Sequence, residues 1–585
     1  MWLTTASDDH LPASIAEPAA SDRSVDNSVV AFPMIVVASS SSKESLSGFE
    51  VAIIGAGAAG VALAMRLNGR AGKIALVEAG GQKSVSRRQN QFFKEDSISD
   101  ARHPSTKLYR RMMLGGTTSV WGGRCIPLDR EDIEGNGHPS GWPITYDEVA
   151  RWIGEALHIL QAGENDFTTG ALPVDAKSPL VDGINDPDLL LNTVERFSEP
   201  TDVWRKWGQD LVKSDQIVVI QGATCTNIRT TPDGNRVLGA DLRTESGERI
   251  VLNAAKVVLA CGGLETTRLL LASRDVRSGG LGNENDLVGR YYMTHLGGTA
   301  GAFRFTGSNT DRCFDYGISP DGIYIRRLIR LTPQARRREK VGNIVFRPNI
   351  HSIVDPTHED SILSAMAFAK KMVLPEYSRK LVLGASKEAS PVQDFLLHSR
   401  NILTGMPRLV GFGVDWMRRR TFAQRKLPAV FLIRPDAIYP LAFDSEQTPD
   451  FDTRVMLGNS VDPFGVPRLA IQWRISDEDL ASIKRGYGML KNVAARTSLG
   501  ELDFQSDFDE RLSNFIGPVG GHNMGTARMG DDPKRSVTDK HGEVWSTKGL
   551  FVAGSALFPT CGFANPTLTI VALSARLADH LARNP

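Results

Sequence analysis

The stretch Val51-Ala52-Ile53-Ile54-Gly55-Ala56-Gly57-Ala58-Ala59-Gly60 decides the fold. A short apolar strand runs into a G-x-G-x-x-G turn. The Ala/Leu-rich stretch from Val61 to Leu67 then reads as helix, and Ile74-Ala75-Leu76-Val77 as a second strand ending at Glu78. Strand, glycine turn, helix, strand and terminal acid in that order make a βαβ unit that binds a dinucleotide. Gly55 permits the turn, Gly57 lets the backbone approach a pyrophosphate, and Gly60 allows close helix packing. The first helical N–H groups are left for the phosphates. Glu78 stands where an acid accepts hydrogen bonds from a ribose diol.

Around this unit the chain has globular composition. Of 585 residues 41% are hydrophobic and 23% charged, enough to bury a large core. The net charge of +1 gives no global drive toward nucleic acid or an anionic membrane. Cys125, Cys225, Cys261, Cys313 and Cys561 are odd in number and hold no C-x-x-C, so neither a disulfide framework nor a zinc site is suggested. A reducing compartment fits, and the cytoplasm is the expected location. No apolar run reaches the ~18 residues of a membrane span. The ten apolar residues Val29 to Ala38 are broken by Pro33 and lack the basic flank of a secretory signal.

Residues 1–47, rich in Ser, Ala and Asp, read as a disordered leader. The expected architecture is α/β, a Rossmann-type nucleotide domain with a second, α+β cap domain over it. The nucleotide domain is assembled from 48–125, 215–300 and 516–585. Residues 126–214 are a connecting or cap segment, and 301–515 form the substrate-binding cap. Alternating blocks at Ile217 to Ile228, Val237 to Thr244 and Ile250 to Ala260, with turn signals at Pro232-Asp233-Gly234 and Ser246-Gly247, predict an antiparallel meander returning to a buried strand. The pattern also predicts a helix over Asp479 to Arg496, a strand over Leu469 to Ile475, and a late strand, Leu550 to Ala553, with a closing helix, Pro566 to Ala582.

Rossmann units serve NAD and FAD alike, so the cofactor is decided by four further segments. Leu114-Gly115-Gly116-Thr117-Thr118-Ser119-Val120-Trp121-Gly122-Gly123-Arg124 is a glycine-hydroxyl loop suited to running under a flat ring and a polyol chain. Val257 to Arg268 carries a strand into a helix through Cys261-Gly262-Gly263. The other two are Gly521-His522-Asn523-Met524-Gly525-Thr526 and Leu550-Phe551-Val552-Ala553-Gly554-Ser555 through Asn565-Pro566-Thr567. Together they resemble the glucose-methanol-choline (GMC) oxidoreductase family of FAD enzymes, and within it the bacterial branch similar to pyranose oxidase. The likeness covers roughly 50–300 and 440–585; the cap from about 305 to 440 matches loosely, and substrate choice is expected there.

The resemblance implies an enzyme that oxidises an alcohol, most readily a hydroxyl of a sugar or glycoside. In the family the hydride passes to flavin N5 and the active-site histidine, matched by His522, takes the hydroxyl proton. Neutral imidazole suits that task near pH 7. Asn565 matches the second member of the catalytic pair, and beside Pro566 it also reads as a helix N-cap. Cofactor contacts are expected at Gly55, Ala56, Gly57, Ala58, Gly60 and Glu78, along the loop at Gly115, Gly116, Thr117, Ser119, Trp121 and Gly122, at Cys225, Ala260 and Gly262, and at Gly554, Ser555, Asn565, Pro566 and Thr567. The histidine that attaches covalently to FAD in pyranose oxidase is Val120 here, which implies non-covalent FAD. Where many relatives have Asp after the late strand, this chain has Gly554. His295, in Tyr292-Met293-Thr294-His295, sits where the family often has a histidine, and reads mainly as structural.

Two arginine clusters fall in the cap. One is Arg326, Arg327, Arg330, Arg336, Arg337 and Arg338; the other is Arg418, Arg419, Arg420 and Arg425 with Lys426. A solvated face is the default for both. The alternatives are contact with an anionic substrate and, for the second cluster, a partner- or membrane-facing helix built on Leu409 to Met417. The electron acceptor stays open among oxygen, a quinone and a redox partner, with a dehydrogenase slightly favoured. The rivals are a redox-neutral lyase on the same fold, as hydroxynitrile lyases are, and a docking flavoprotein with a vestigial site.

Overall fold

The computed structural model describes residues 35–36, 45–135, 141–171, 179–199, 201–307, 313–369, 391–504 and 508–584. Of the leader expected at 1–47, residues 1–34 and 37–44 lie outside the described residues. Ile35–Val36 and the residues from Ser45 on are strand.

The opening motif folds as its pattern reads, with a strand at Ser45–Ile54, a helix at Ala58–Leu67 and a strand at Ile74–Glu78. Gly55 has φ +109°, and a Cβ there would lie 2.7 Å from the Ala260 carbonyl oxygen. A Cβ on Gly60 would lie 1.8 Å from the Gly55 carbonyl oxygen. Only glycine fits either position, and the helix can therefore sit directly on the turn.

This unit is the middle of an eight-stranded sheet among the described residues. Ile35–Val36, Ile217–Gln221, Ile74–Glu78, Ser45–Ile54 and Arg249–Leu259 lie side by side in parallel, and Leu550–Val552 joins the C-terminal end of Arg249–Leu259, also in parallel. Ile74–Glu78 is buried at every position, as a parallel strand covered on both faces must be. The expected meander is present, since Val237–Thr244 pairs antiparallel with both Arg249–Leu259 and Ala223–Thr230. Its first block is two strands rather than one. Gly222, at φ +73°, ends Ile217–Gln221 in the parallel region and lets Ala223–Thr230 leave for the antiparallel edge. The last helix, Thr567–Arg583, packs against Ala58–Leu67.

A second, antiparallel sheet runs Gly500–Asp503, Leu296–Phe305, Ile438–Ser445, Ile344–Pro348, Ile329–Leu331, Leu189–Leu190, with Gly517–Pro518 paired to the start of Leu296–Phe305. Its core contains Phe303, Phe346, Tyr439, Trp473 and Tyr487, each stabilising the fold by roughly 1.5–3 kcal/mol or more on burial. Leu296–Phe305 crosses the boundary expected at 300/301, and residues 189–190 of the connecting segment join the cap sheet. The helix at Asp477–Thr497 and the strand at Pro467–Gln472 lie close to their predicted ranges. Among the described residues no helix is long and apolar enough to cross a membrane.

The first arginine cluster corrects the reading of a solvated face. Arg326, Arg327, Arg330 and Arg336 are buried, whereas Arg337 and Arg338 are exposed. Arg330 ion-pairs with Asp129, and the Arg336 guanidinium lies 3.6 Å from the same carboxylate, so distant acids take these cations inside.

Candidate active site

Three chain segments meet behind the two sheets. Met293 and Met524 exchange backbone hydrogen bonds of 3.0 Å, Gly525 N–H donates to the Ser555 carbonyl at 3.0 Å, and Ala527 N–H donates to the Ala556 carbonyl at 2.8 Å. The Ser555 hydroxyl adds a bond of 2.6 Å to the Asn523 carbonyl. This ladder puts Met293, three residues before Leu296–Phe305, the loop at 521–527 and the turn leading to the last helix side by side.

At the junction, His522 Nε2 lies 3.1 Å from Asn565 Nδ2, and His522 Nδ1 lies 2.8 Å from His295 Nδ1. His295 Nε2 is 3.2 Å from the Cys561 carbonyl oxygen. A carbonyl only accepts, so His295 carries its proton on Nε2. Burial pulls His295 down to about 4, which keeps it neutral and makes its Nδ1 an acceptor. His522 must then donate from Nδ1, leaving the lone pair on Nε2, where the Asn565 amide N–H points. Asn565 is not a helix cap. The last helix begins at Thr567 with Pro566 as its N-terminal flank and no side-chain cap.

His522 and Asn565 open on a cavity of about 1190 Å³ that reaches the glycine turn. Gly55, Gly57, Ala58 and Glu78 line it from the βαβ unit, and Gly116, Thr117, Trp121 and Gly122 from the glycine-hydroxyl loop. Cys225, Ala260 and Gly262 line it from the meander, and Gly554, Ser555, Pro566 and Thr567 from the late segment. Four expected contacts do not line it. Gly60 serves helix packing, Ala56 and Gly115 hold the turn and loop together through a backbone bond of 2.9 Å, and the Ser119 hydroxyl donates to the Gly116 carbonyl at 2.8 Å. Val120 is likewise outside the lining.

The lining fits FAD. A Cβ on Gly57, Gly262 or Gly554 would meet no protein atom within 4 Å, so three glycine backbones face open space where a ligand can approach. The N-terminus of Thr567–Arg583 opens on the same cavity, its positive end favouring anionic charge. Glu78 accepts hydrogen bonds from Ala56 N–H at 3.1 Å and Gly80 N–H at 2.8 Å. It therefore braces the turn as well as facing the cavity. Burial pushes its carboxyl up to about 7, against the pull of those two N–H groups.

On the cap side, the cavity is lined by residues that sequence reading did not assign to the site. They include Arg124, Arg347 and Asp444, the aromatic Tyr316 and Phe431, and Arg326. The sequence points only to Arg326, in a cluster for which an anionic substrate is one alternative, and to Arg124, at the end of the glycine-hydroxyl loop. Of the second cluster, Arg420 lines the cavity and lies over the Trp416 ring, Arg419 lies 3.4 Å from Asp415, Arg425 lies 3.4 Å from Glu199, and Arg418 is exposed.

The chain is similar to known proteins in sequence and in fold. Residues 449–574 match the family model of the GMC oxidoreductases. The chain is 24% identical over 528 residues to a 2-methyl-1,2-propanediol dehydrogenase of Mycolicibacterium austroafricanum, covering 82% of each. It is 36% identical over 152 residues to a C-glycoside 3-oxidase of Microbacterium trichothecenolyticum, which is 25% of this chain and 28% of that protein. In fold it is similar to the pyridoxine 4-oxidase from Mesorbium loti, with a TM-score of 0.56 at 15% identity over 91% of this chain and 99% of that one. A formate oxidase follows at 0.52 and 14%, over 92% and 99%.

Proposed function

We propose that the chain, whose residues 449–574 match the family model of the GMC oxidoreductases, oxidises a hydroxyl of a sugar or glycoside with FAD held non-covalently. The observation that carries this reading is the meeting of His522 and Asn565 in one cavity with the dinucleotide turn. His522 Nε2 takes the hydroxyl proton of the substrate, and the Asn565 amide donates to the same oxygen as negative charge builds on it. His295 holds the His522 ring and keeps its lone pair on the working nitrogen. Bound FAD would supply the hydride acceptor for the carbon bearing that hydroxyl, which would leave as a carbonyl. Gly57, Gly262 and Gly554 give their backbones to the cofactor, and Glu78 takes the ribose. Val120 offers no nucleophile for a covalent link.

A dehydrogenase is favoured over an oxidase. The helix Met406–Trp416 puts Phe412 and Trp416 into the cavity lining and leaves Val410 and Val414 exposed, which suits the approach of a quinone or redox partner. The test is an anaerobic screen of sugars, glycosides and simple diols that follows the visible band of the oxidised flavin. Bleaching by at least one alcohol supports the proposal, and an unchanged band across the screen favours a redox-neutral lyase. Turnover with dyes and quinones outpacing peroxide formation in air supports the dehydrogenase; equal rates make it an oxidase.

A further inference from the structure

The small sheet Gly317–Ile318, Tyr324–Arg327, Val194–Phe197, Arg124–Cys125 sets Arg326 in register opposite Glu195. Glu195 is fully buried and already engaged, its Oε2 lying 3.2 Å from Arg124 Nε and 3.0 Å from Arg347 Nη2. Asp444 Oδ2 lies 3.2 Å from Arg124 Nη1 and 2.5 Å from Arg347 Nη1. Two carboxylates are thus shared by two guanidinium groups, and Arg326 stands beside them as a third cation. Asp315, the other acid near it, lies 3.8 Å from Arg419. Among the described residues Arg326 forms no ion pair. Its hydrogen bond goes to the Pro348 carbonyl, and the rings of Tyr316 and Phe431 flank it at 5.7 and 5.4 Å.

Arg326 is only 8% exposed, yet it lines the same cavity as His522 and Asn565. With three guanidinium groups gathered around two carboxylates, the cluster carries one buried positive charge in excess, which is costly unless a ligand offsets it. Desolvation pulls Arg326 below the usual arginine range, as expected of such a charge. The group also sits next to the catalytic end of the cavity. Gly297, two residues after His295 in the chain, is the register partner of Asp444, and a Cβ there would lie 3.1 Å from Asp444 Oδ1. The aromatic walls and the planar fork of Arg326 suit one flat monoanion held side-on.

We propose that Arg326, supported by Arg124 and Arg347, is a carboxylate subsite, so that the alcohol oxidised at His522 belongs to a hydroxy acid of the sugar-acid class. This rests on the alcohol-oxidising reading for its chemistry, but binding tests it without turnover. The holoenzyme is titrated at constant ionic strength with gluconate and glucuronate, and with sorbitol and glucose, following the flavin difference spectrum and the melting temperature. The acids bind roughly 10- to 100-fold more tightly than their neutral counterparts, the size of one charge-assisted pair. R326Q removes that gap, and R326K keeps part of it. Equal binding of acids and neutral compounds, or a gap that survives R326Q, overturns the proposal. Glucose 6-phosphate binding as tightly as glucuronate overturns the carboxylate assignment. Should R326Q fail to retain FAD, R326K decides, a reduced gap supporting the subsite and an unchanged one overturning it. A gap without flavin bleaching by any alcohol keeps the subsite and sinks the alcohol reading. Bleaching without a gap does the reverse.

Discussion

His295 and His522 face each other through their Nδ1 atoms at 2.8 Å, with the ring planes 84° apart. One of the two must donate and the other accept, so the proton on His522 is placed by a neighbour that touches neither the Asn565 amide nor the glycine turn. H295L leaves His522 free to choose its tautomer and should slow flavin reduction about tenfold, less than the roughly 10² to 10⁴ contributed by a positioned general base itself. H295Q offers an amide oxygen to His522 and an amide N–H to Cys561, and should recover much of the rate. Equal loss in both variants, with the same pH profile, would mean that His295 only fills space.

The same burial gives a stability signature. His295 has a folded value near 4 against about 6.5 in the unfolded chain, so the unfolded state binds the extra proton between those values. Wild-type stability should therefore fall as pH drops from 6.5 toward 4, and H295L should show a shallower fall. Denaturant melts at pH 7, 5.5 and 4.5 measure the slope.

H522A should keep its FAD and slow substrate-driven flavin reduction by roughly 10² to 10⁴. N565A should cost less. Because Asn565 does not cap the last helix, its melting temperature should stay close to wild type.

Glu78 carries a carboxyl raised to about 7 before any ribose reaches it. If the cofactor's hydroxyls favour the ionised form, FAD should bind more tightly as pH rises toward 7, then level off, and binding below 7 should release a proton. Calorimetry of apoprotein in buffers of different ionisation enthalpy detects that release. E78Q should abolish it and weaken FAD by about 1.5 to 3 kcal/mol.

Acid precipitation should leave the yellow colour in the supernatant, because Val120 has no atom able to bond a flavin. Colour retained in the pellet would place a covalent link elsewhere in the chain.

The βαβ unit and its glycines could be read from sequence because each depends on short-range order, whereas His522 and Asn565 are singled out only through a resemblance to a family. The β-branched Val51, Ile53 and Ile54 directly before a glycine turn favour a strand, and the steric demands at Gly55 and Gly60 arise within a few residues or at one strand contact. Other features depended on residues far apart in the chain. The break at Gly222 reflects which edge each half of Ile217 to Ile228 finds. Arg326 looked like part of a solvated run, since sequence shows its charge but not Glu195, Arg124 and Arg347 gathered around it by three strands. His295, though it stands where the resembling family often has a histidine, reads mainly as structural until the Met293–Met524 ladder brings it against His522. Periodicity is written in neighbouring residues, whereas the cost of burying a charge and the tautomer of an imidazole are set by whatever the folded chain brings within hydrogen-bond reach.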